Sequence, residues 1–394
     1  MRLRRSNTKR HVHIDADNPN AATNNHPHEQ LARPTHKRLA WVHTRRSKIT
    51  IGVISLLIIV SGATWFAFAH RSSPKPITSS SPGPSPTPVP TPVLKEAPLT
   101  GVMVAPELIT KPVMGVVIEN LYPDARPQSG LSQAGVVYEA LAEGGITRYV
   151  AFFQTDIPTD IGPVRSLRPI FYTMGMEYNA PVAHVGGSTD GLALARSGNG
   201  FKDLDQFYNG SYFRRISQRW APHNVYITGE SLQKLITDKG WATAPTFTPW
   251  KRKDDSPSGS PTATKITADF SGPDYVATFQ YDASSDSYLR STRGQADVDA
   301  SNSNKQLNPK TVIILYAQTS SGTQPNGKPK TDIDITGTGK AVLFQDGTAT
   351  ECSWKKAGDS VRLTLVDANG QELSLNRGQS WVSILPVGRS VSWQ

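Results

Sequence analysis

Between Ile49 and Ala69 the chain runs for 21 residues without a charged side chain, through Ile51, Val53, Ile54, Leu56, Leu57, Ile58, Ile59 and Val60. As a helix this stretch would rise roughly 31 Å, matching a hydrocarbon core ~30 Å thick. Trp65 and Phe66 near its far end suit the aromatic belt of a bilayer interface, and Arg45, Arg46 and Lys48 flank its near end. The reading is a retained signal anchor, a single N-terminal transmembrane helix over 49–69. It predicts a cytoplasmic N-terminus and extracytoplasmic C-terminal domains at the cell membrane. A buried core helix fits those flanks poorly. The rival is a cleaved signal peptide, since Ala67-Phe68-Ala69 has the small-x-small form of a cleavage site. Against it stand the long preceding region and an apolar run beyond the usual ~7–15 residues.

The flanks of this segment are poor in core-forming residues. Of the 394 residues, the first 50 hold 11 Lys/Arg against 3 Asp/Glu, and the rest hold 31 against 29. The net charge of +10 therefore belongs to the tail, and a basic nucleic-acid-binding fold is not indicated. Residues 1–48 are too polar to offset their ordering entropy and read as a disordered cytoplasmic tail. That tail is either a plain topology signal or a segment that also touches anionic headgroups. Residues 70–98 read as a Pro/Ser/Thr-rich stalk, with nine prolines in 72–98. Such a stretch favours polyproline II and could reach up to ~80 Å, which would either meet wall polymers in a thick cell wall or only lift the folded part from the bilayer. Cys352 is the sole cysteine, which rules out an internal disulfide or a Cys-rich zinc module.

Past the stalk the expected fold is α+β: an α/β-type first domain over 99–250, a flexible hinge at 251–264, and a β-rich second domain over 265–394. In the first, 113–118 is a near-continuous apolar run, as in a strand buried on both faces. Strands at 136–141 and 149–153 flank Gly144-Gly145, a hairpin or tight connection. Helices are expected over 169–178, from Ser188 to 195, and from Ser231 to 238, with a further strand at 181–185. In the second, strands at 275–281, 311–316, 341–344, 349–354, 361–366 and 381–385 alternate with turns. Asp346-Gly347 and Asn369-Gly370 are hairpin signals.

Motifs for catalysis fail on inspection. Gly322 to Lys328 fits G-x-x-x-x-G-K, but Pro329 stands where Ser/Thr would hold magnesium, so it reads as a turn. Gly186-Gly187-Ser188 lacks the second half of a nucleophile elbow. Cys352 falls in a predicted strand without a nearby histidine and reads as packing. Asn209-Gly210-Ser211 fits a glycosylation acceptor, which by itself is uninformative. No metal site and no cofactor are indicated.

What remains is a concentration of polar residues and glycines at predicted strand ends of the first domain, where ligands of open α/β sheets tend to bind. Arg126, Arg148, Arg165 and Arg168 beside glycine turns are candidates for an anion site, because the guanidinium fork matches phosphate and carboxylate. Ser188 would start a helix that adds amide donors. His184 or His223, beside Asn224, could act as general base, and Glu139 or Glu143 could hold a divalent cation or orient the histidine. The competing reading is structural: Arg148 pairing with Glu139 or Glu143, and glycines that only shape turns.

At these residues the chain resembles the YerB-like family of bacterial envelope proteins. The resemblance covers 112–224 and 311–386. It rests on Arg126-Pro127-Gln128-Ser129-Gly130-Leu131, Glu143-Gly144-Gly145-Ile146-Thr147-Arg148, Ile161-Gly162-Pro163-Val164-Arg165-Ser166, Gly186-Gly187-Ser188 and Ala221-Pro222-His223-Asn224. In the second domain it rests on Gly337-Thr338-Gly339-Lys340 and Ser353-Trp354-Lys355-Lys356. It implies two domains on the extracytoplasmic face and carries no settled activity. Many members look like lipoproteins; this chain has no cysteine near its apolar segment, so the predicted helix replaces lipid anchoring. The expected function is a binding or scaffold module for wall polymer or an envelope protein. The alternative is an enzyme on phosphate-bearing substrates, similar in layout to LytR-CpsA-Psr phosphotransferases.

Overall fold

A computed structural model describes residues 93–394. In chain order its principal elements begin with β1 (Met114–Glu119), β2 (Val136–Glu143), β3 (Ile146–Phe153), α1 (Pro169–Glu177), β4 (Val182–His184), α2 (Thr189–Ala195), β5 (Asp203–Asp205) and α3 (Gly229–Asp238). A run of strands follows: β6 (Lys265–Asp269), β7 (Val276–Asp282), β8 (Ser287–Thr292), β9 (Gln295–Ala296), β10 (Thr311–Thr323), β11 (Pro329–Asp334), β12 (Gly337–Gln345) and β13 (Thr348–Lys356). Three short strands complete it: β14 (Thr364–Val366), β15 (Ser380–Pro386) and β16 (Val391–Trp393).

Eleven strands form one mixed sheet, ordered β14-β13-β12-β10-β15-β2-β3-β1-β4-β5, with β11 on the outer part of β10. The strand that unites it is β15, which pairs in parallel with β10 on one side and with β2 on the other. A five-stranded antiparallel sheet, β9-β8-β7-β6-β16, covers one face. Alternate residues of the large sheet, such as Val137, Tyr149, Val312 and Trp381, pack there with Ile266, Phe279 and Tyr288. The opposite set, Val136, Tyr138, Val150, Ile313 and Val382, packs under Phe171 and Met174 of α1 and under Trp250, Leu363 and Leu375.

The α+β reading with an α/β-type first domain is corrected: the fold is β-rich, and its longest described helix has 10 residues. That reading rests on the mix of predicted strands and helices in the first domain, with the run at 113–118 read as a strand buried on both faces. Both faces of β1 are indeed buried. The cover, however, is a second sheet on one side and a single short helix plus linker residues on the other, and β1 pairs antiparallel with β3. The predicted transmembrane helix over 49–69, the tail over 1–48 and most of the stalk lie outside the described residues. Among the described residues no helix is long and apolar enough to cross a membrane, so the structure lends the span no support.

Local signals fared better. Gly144 and Gly145 turn the β2–β3 hairpin at φ 56 and 80, a left-handed pair that any Cβ would strain. Asp346 and Gly347 do the same between β12 and β13, at φ 56 and 73. Ser188 caps α2 by accepting from the Gly191 amide at 3.1 Å. For α3 the cap is Thr228 rather than Ser231: the Thr228 hydroxyl oxygen accepts from the Ser231 amide, and the helix starts at Gly229. Within 251–264, Arg252–Lys253 forms a two-residue strand parallel to Leu375–Asn376.

Candidate functional site

The extended segment after Gly162 runs beside the end of β1: the Glu119 amide donates to Pro163, and Ile118 bridges Val164. This places Arg165 against Glu119, the last residue of β1. Arg165 Nε donates to Glu119 Oε1 at 2.9 Å, and His223 Nδ1 lies 3.0 Å from Oε2. The carboxylate is buried, while the Arg165 and His223 side chains keep 21% and 16% of their surface.

A second carboxylate closes the arrangement. Glu143 ends β2 just before the hairpin, Arg148 lies just after it on β3, and Arg168 precedes α1. Arg148 Nη2 donates to Glu143 Oε1 at 2.7 Å, and Arg168 donates twice to Oε2, at 2.9 and 2.6 Å. Burial pushes the Glu143 carboxyl up, but Arg148 and then Arg168 outweigh it and hold it below its ordinary 4.5. Burial and the neighbouring Arg148 push Arg168 down to about 10, against the pull of Glu143. A carboxyl with a depressed folded pKa stabilises the fold above its unfolded value and loses that contribution as pH falls through the folded one. The wild type should therefore lose stability relative to Glu143→Gln between the ordinary Glu value of 4.5 and the lower folded value. Urea midpoints of both proteins at stepped acidic pH test this; parallel profiles would sink it.

Arg126 completes the cluster. Its Nε donates to Asn120 Oδ1 at 2.8 Å, and its guanidinium lies 5.7 Å from the ring centres of Tyr122 and Tyr275. Among the described residues it makes no ion pair with a carboxylate. Four arginines thus gather around two carboxylates, Glu119 and Glu143, leaving a surplus of two positive charges.

Three other predicted residues are engaged elsewhere. His184 is fully buried, its Nδ1 2.8 Å from the Gly186 carbonyl and its Nε2 2.8 Å from Asp203. Ser188 is occupied as a helix cap. Asn224 Oδ1 accepts from Arg215 at 2.7 Å. The suggested cation ligands are committed too: Glu139 accepts from Arg290, Trp381 and Thr147, and Glu143 from its two arginines. Among the described residues no group of three or more His, Cys, Asp or Glu is placed to hold a metal. Burial pushes the Cys352 thiol up to about 11, unsuited to a nucleophile. Of Gly322 to Lys328, the first two residues end β10 and the other five close the β10–β11 hairpin as a turn. A groove of about 910 Å³, lined by Lys340, Glu351, Trp354 and Trp393 among others, lies on the second half.

Sequence reasoning counted Glu119-Asn120 among the polar strand ends without giving Glu119 a role, and it missed Tyr275, which comes from the other half of the chain. It also missed a set of exposed aromatics beside the cluster. Phe207, Tyr208 and Trp220 expose 73%, 72% and 90% of their surface. Phe207 lies against Gly186, and the Trp220 carbonyl accepts from the His223 amide. Large aromatics left in water near arginines are the signal that could have marked this face.

Fold and site together define a β-rich protein of two sequence segments fused through one sheet, with a partly exposed, positively charged cluster beside their junction. The chain belongs to the YerB-like family: it matches the DUF3048 N-terminal domain, a protein of unknown function, over 99–242, and the DUF3048 C-terminal domain over 266–382. It is 30% identical over 295 residues to the "Putative lipoprotein YerB" of Bacillus subtilis (strain 168), covering 74% of this chain and 86% of that one. A crystal structure of the YerB protein from Bacillus subtilis matches with a TM-score of 0.66 at 30% identity, over 76% of this chain and 99% of that one.

Proposed function

We propose that this protein is an extracytoplasmic module of the cell envelope that binds an anionic polymer of the wall at the Arg126–Arg148–Arg165–Arg168 cluster. The observation that carries the reading is the surplus of positive charge: two carboxylates orient three guanidiniums, Asn120 holds the fourth, Arg126, and four positive charges face two negative ones. Arginines already oriented by such partners lose little further freedom on meeting phosphate or carboxylate. Phe207 and Trp220 supply flat apolar surface beside them, suited to the carbon faces of a polyol or sugar chain. The name of the Bacillus subtilis relative accords with a place at the envelope.

The His223–Glu119 pair, a buried carboxylate with a histidine that keeps some exposure, favours one second reading, a general base serving an enzyme on phosphate-bearing substrates. Binding comes first because the histidine's partner is shared with Arg165, which stabilises the carboxylate in place. The test is calorimetric titration with poly(glycerol phosphate) and with uncharged glycan. Selective, salt-sensitive binding to the polyanion is expected, weakened about tenfold or more in Arg165→Ala. Equal binding of both polymers, or an unchanged Arg165→Ala, would refute it. Turnover of a phosphodiester lost in His223→Gln would decide for the enzyme.

A further inference from the structure

Lys253 and Asn376 stand directly opposite each other in the parallel pair of Arg252–Lys253 with Leu375–Asn376. Register across a pair puts their side chains on one face, and they meet there: Lys253 Nζ is 2.5 Å from Asn376 Oδ1. One carboxylate spans both. Asp346 Oδ2 accepts from Lys253 Nζ at 2.6 Å, and Asp346 Oδ1 accepts from Asn376 Nδ2 at 2.7 Å. Asp286 Oδ2 accepts from the same Nδ2 at 3.2 Å. Two acceptors on the amide nitrogen hold the amide with its carbonyl toward the lysine. Asn376 is fully buried, Asp286 and Asp346 are buried, and Tyr288 and Tyr281 wall the cluster from beneath.

An amine in contact with a carboxamide, and one carboxyl touching the proton-bearing atoms of both, is the arrangement for transamidation. We propose that Lys253 and Asn376 join in an intramolecular isopeptide bond, with Asp346 as the proton carrier. Transfer of a proton from Lys253 Nζ to Asp346 Oδ2 frees the amine lone pair, and Nζ bonds to Asn376 Cγ while the carbonyl oxygen takes up negative charge. Asp346 passes its proton to Nδ2. As the carbonyl re-forms, the Cγ–Nδ2 bond breaks, and the departing ammonia takes the excess proton of Nζ and leaves as ammonium. Asp346 ends as the carboxylate it was, and nothing is oxidised or reduced. Fixed contact supplies the proximity, and burial keeps water from competing for the amide carbon.

The bond would tie residues 123 positions apart and fasten the segment joining the two family domains to the sheet beside the β12–β13 turn. Ordinary ion pairing would leave the same neighbours unlinked, so mass decides between them. The full-length protein, purified and denatured, should weigh about 17 Da less than its sequence, the mass of one ammonia. Its tryptic digest should contain a branched peptide joining Lys253 to Asn376. Lys253→Arg and Asp346→Asn should both return to full mass and lose the branched peptide. A wild-type chain at full sequence mass overturns the proposal. So does an ammonia loss that persists in Lys253→Arg, which would place the missing group in cyclisation of Asn376 onto its own backbone. Because the wild-type digest alone establishes or removes the linked peptide, a variant that fails to fold does not blunt the test.

Discussion

Replacing Arg290 by Met is expected to lower folding stability by about 3–5 kcal/mol, the usual cost of leaving a buried charge without its partner. Arg290 projects from β8 between the two sheets and is 1% exposed. Its Nη2 donates to Glu139 Oε2 at 2.8 Å, and its Nη1 donates to Thr292 at 3.1 Å and to Asp297. The guanidinium also lies 4.6 Å from the ring centre of Trp381 and 5.7 Å from those of Tyr149 and Phe279. Methionine fills much of the same volume against those rings. The loss should therefore come mainly from Glu139, which is 1% exposed and would keep only the Trp381 indole, Thr147 and the long contact from Asn120, with a smaller share from the less buried Asp297, which would keep the Thr292 hydroxyl. A second change, Glu139→Gln, should recover a large part of the loss in the Arg290→Met background by removing the stranded charge. Urea unfolding of the three proteins measures it. A single-variant loss below ~1 kcal/mol would show that water reaches the pair and that the sheets do not seal it.

The second large effect is expected at Lys356→Met. Lys356 on β13 and Glu177 at the end of α1 are 179 positions apart, 3.0 Å apart in space and both fully buried. Lys356 Nζ also donates to the Asp359 carbonyl at 2.9 Å and to the Val361 carbonyl. Glu177 accepts from the Tyr138 hydroxyl at 3.2 Å, but a neutral donor does not replace a cation. The single variant should lose about 3–5 kcal/mol, and Lys356→Met with Glu177→Gln should lose clearly less. Recovery stays incomplete, since two backbone carbonyls still lose a donor at about 1 kcal/mol or more each. Additive losses in this cycle would mean the two residues act independently.

How much of the molecule was legible depended on how far each signal had to reach. The Gly144-Gly145 and Asp346-Gly347 turns, the Ser188 cap and the strands at the centre of the sheet could be read from the chain, because the backbone conformations that set them belong to neighbouring residues. The family could be read too, since its motifs are short and contiguous. The cluster was partly legible. Arg126, Arg148, Arg165, Arg168, Glu143 and His223 do converge, because all sit at the ends of strands or beside turns that the sheet brings to one edge. His184 and Asn224 carried the same outward signal and are tied up internally, by Asp203 and Arg215, which no local pattern announces.

Taken alone, the sequence determined the Gly144-Gly145 and Asp346-Gly347 turns, the Ser188 cap, the strands at the centre of the large sheet, and which residue types stand at strand ends. Tertiary structure alone decided the fold class and the partners. A doubly buried strand reads the same whether a helix or a second sheet covers it, so the α/β-type reading of the first half could not survive contact with β6–β8. The parallel insertion of β15 between β10 and β2 pairs β15 with a strand more than two hundred residues earlier in the chain, Ser380 facing Val136. Nothing in the residues of β15 distinguishes that place from any other buried position. Ion pairs such as Lys356–Glu177 and Arg290–Glu139 obey the same logic: a buried charge requires a counter-charge, but only the closed sheet determines which one lies within reach.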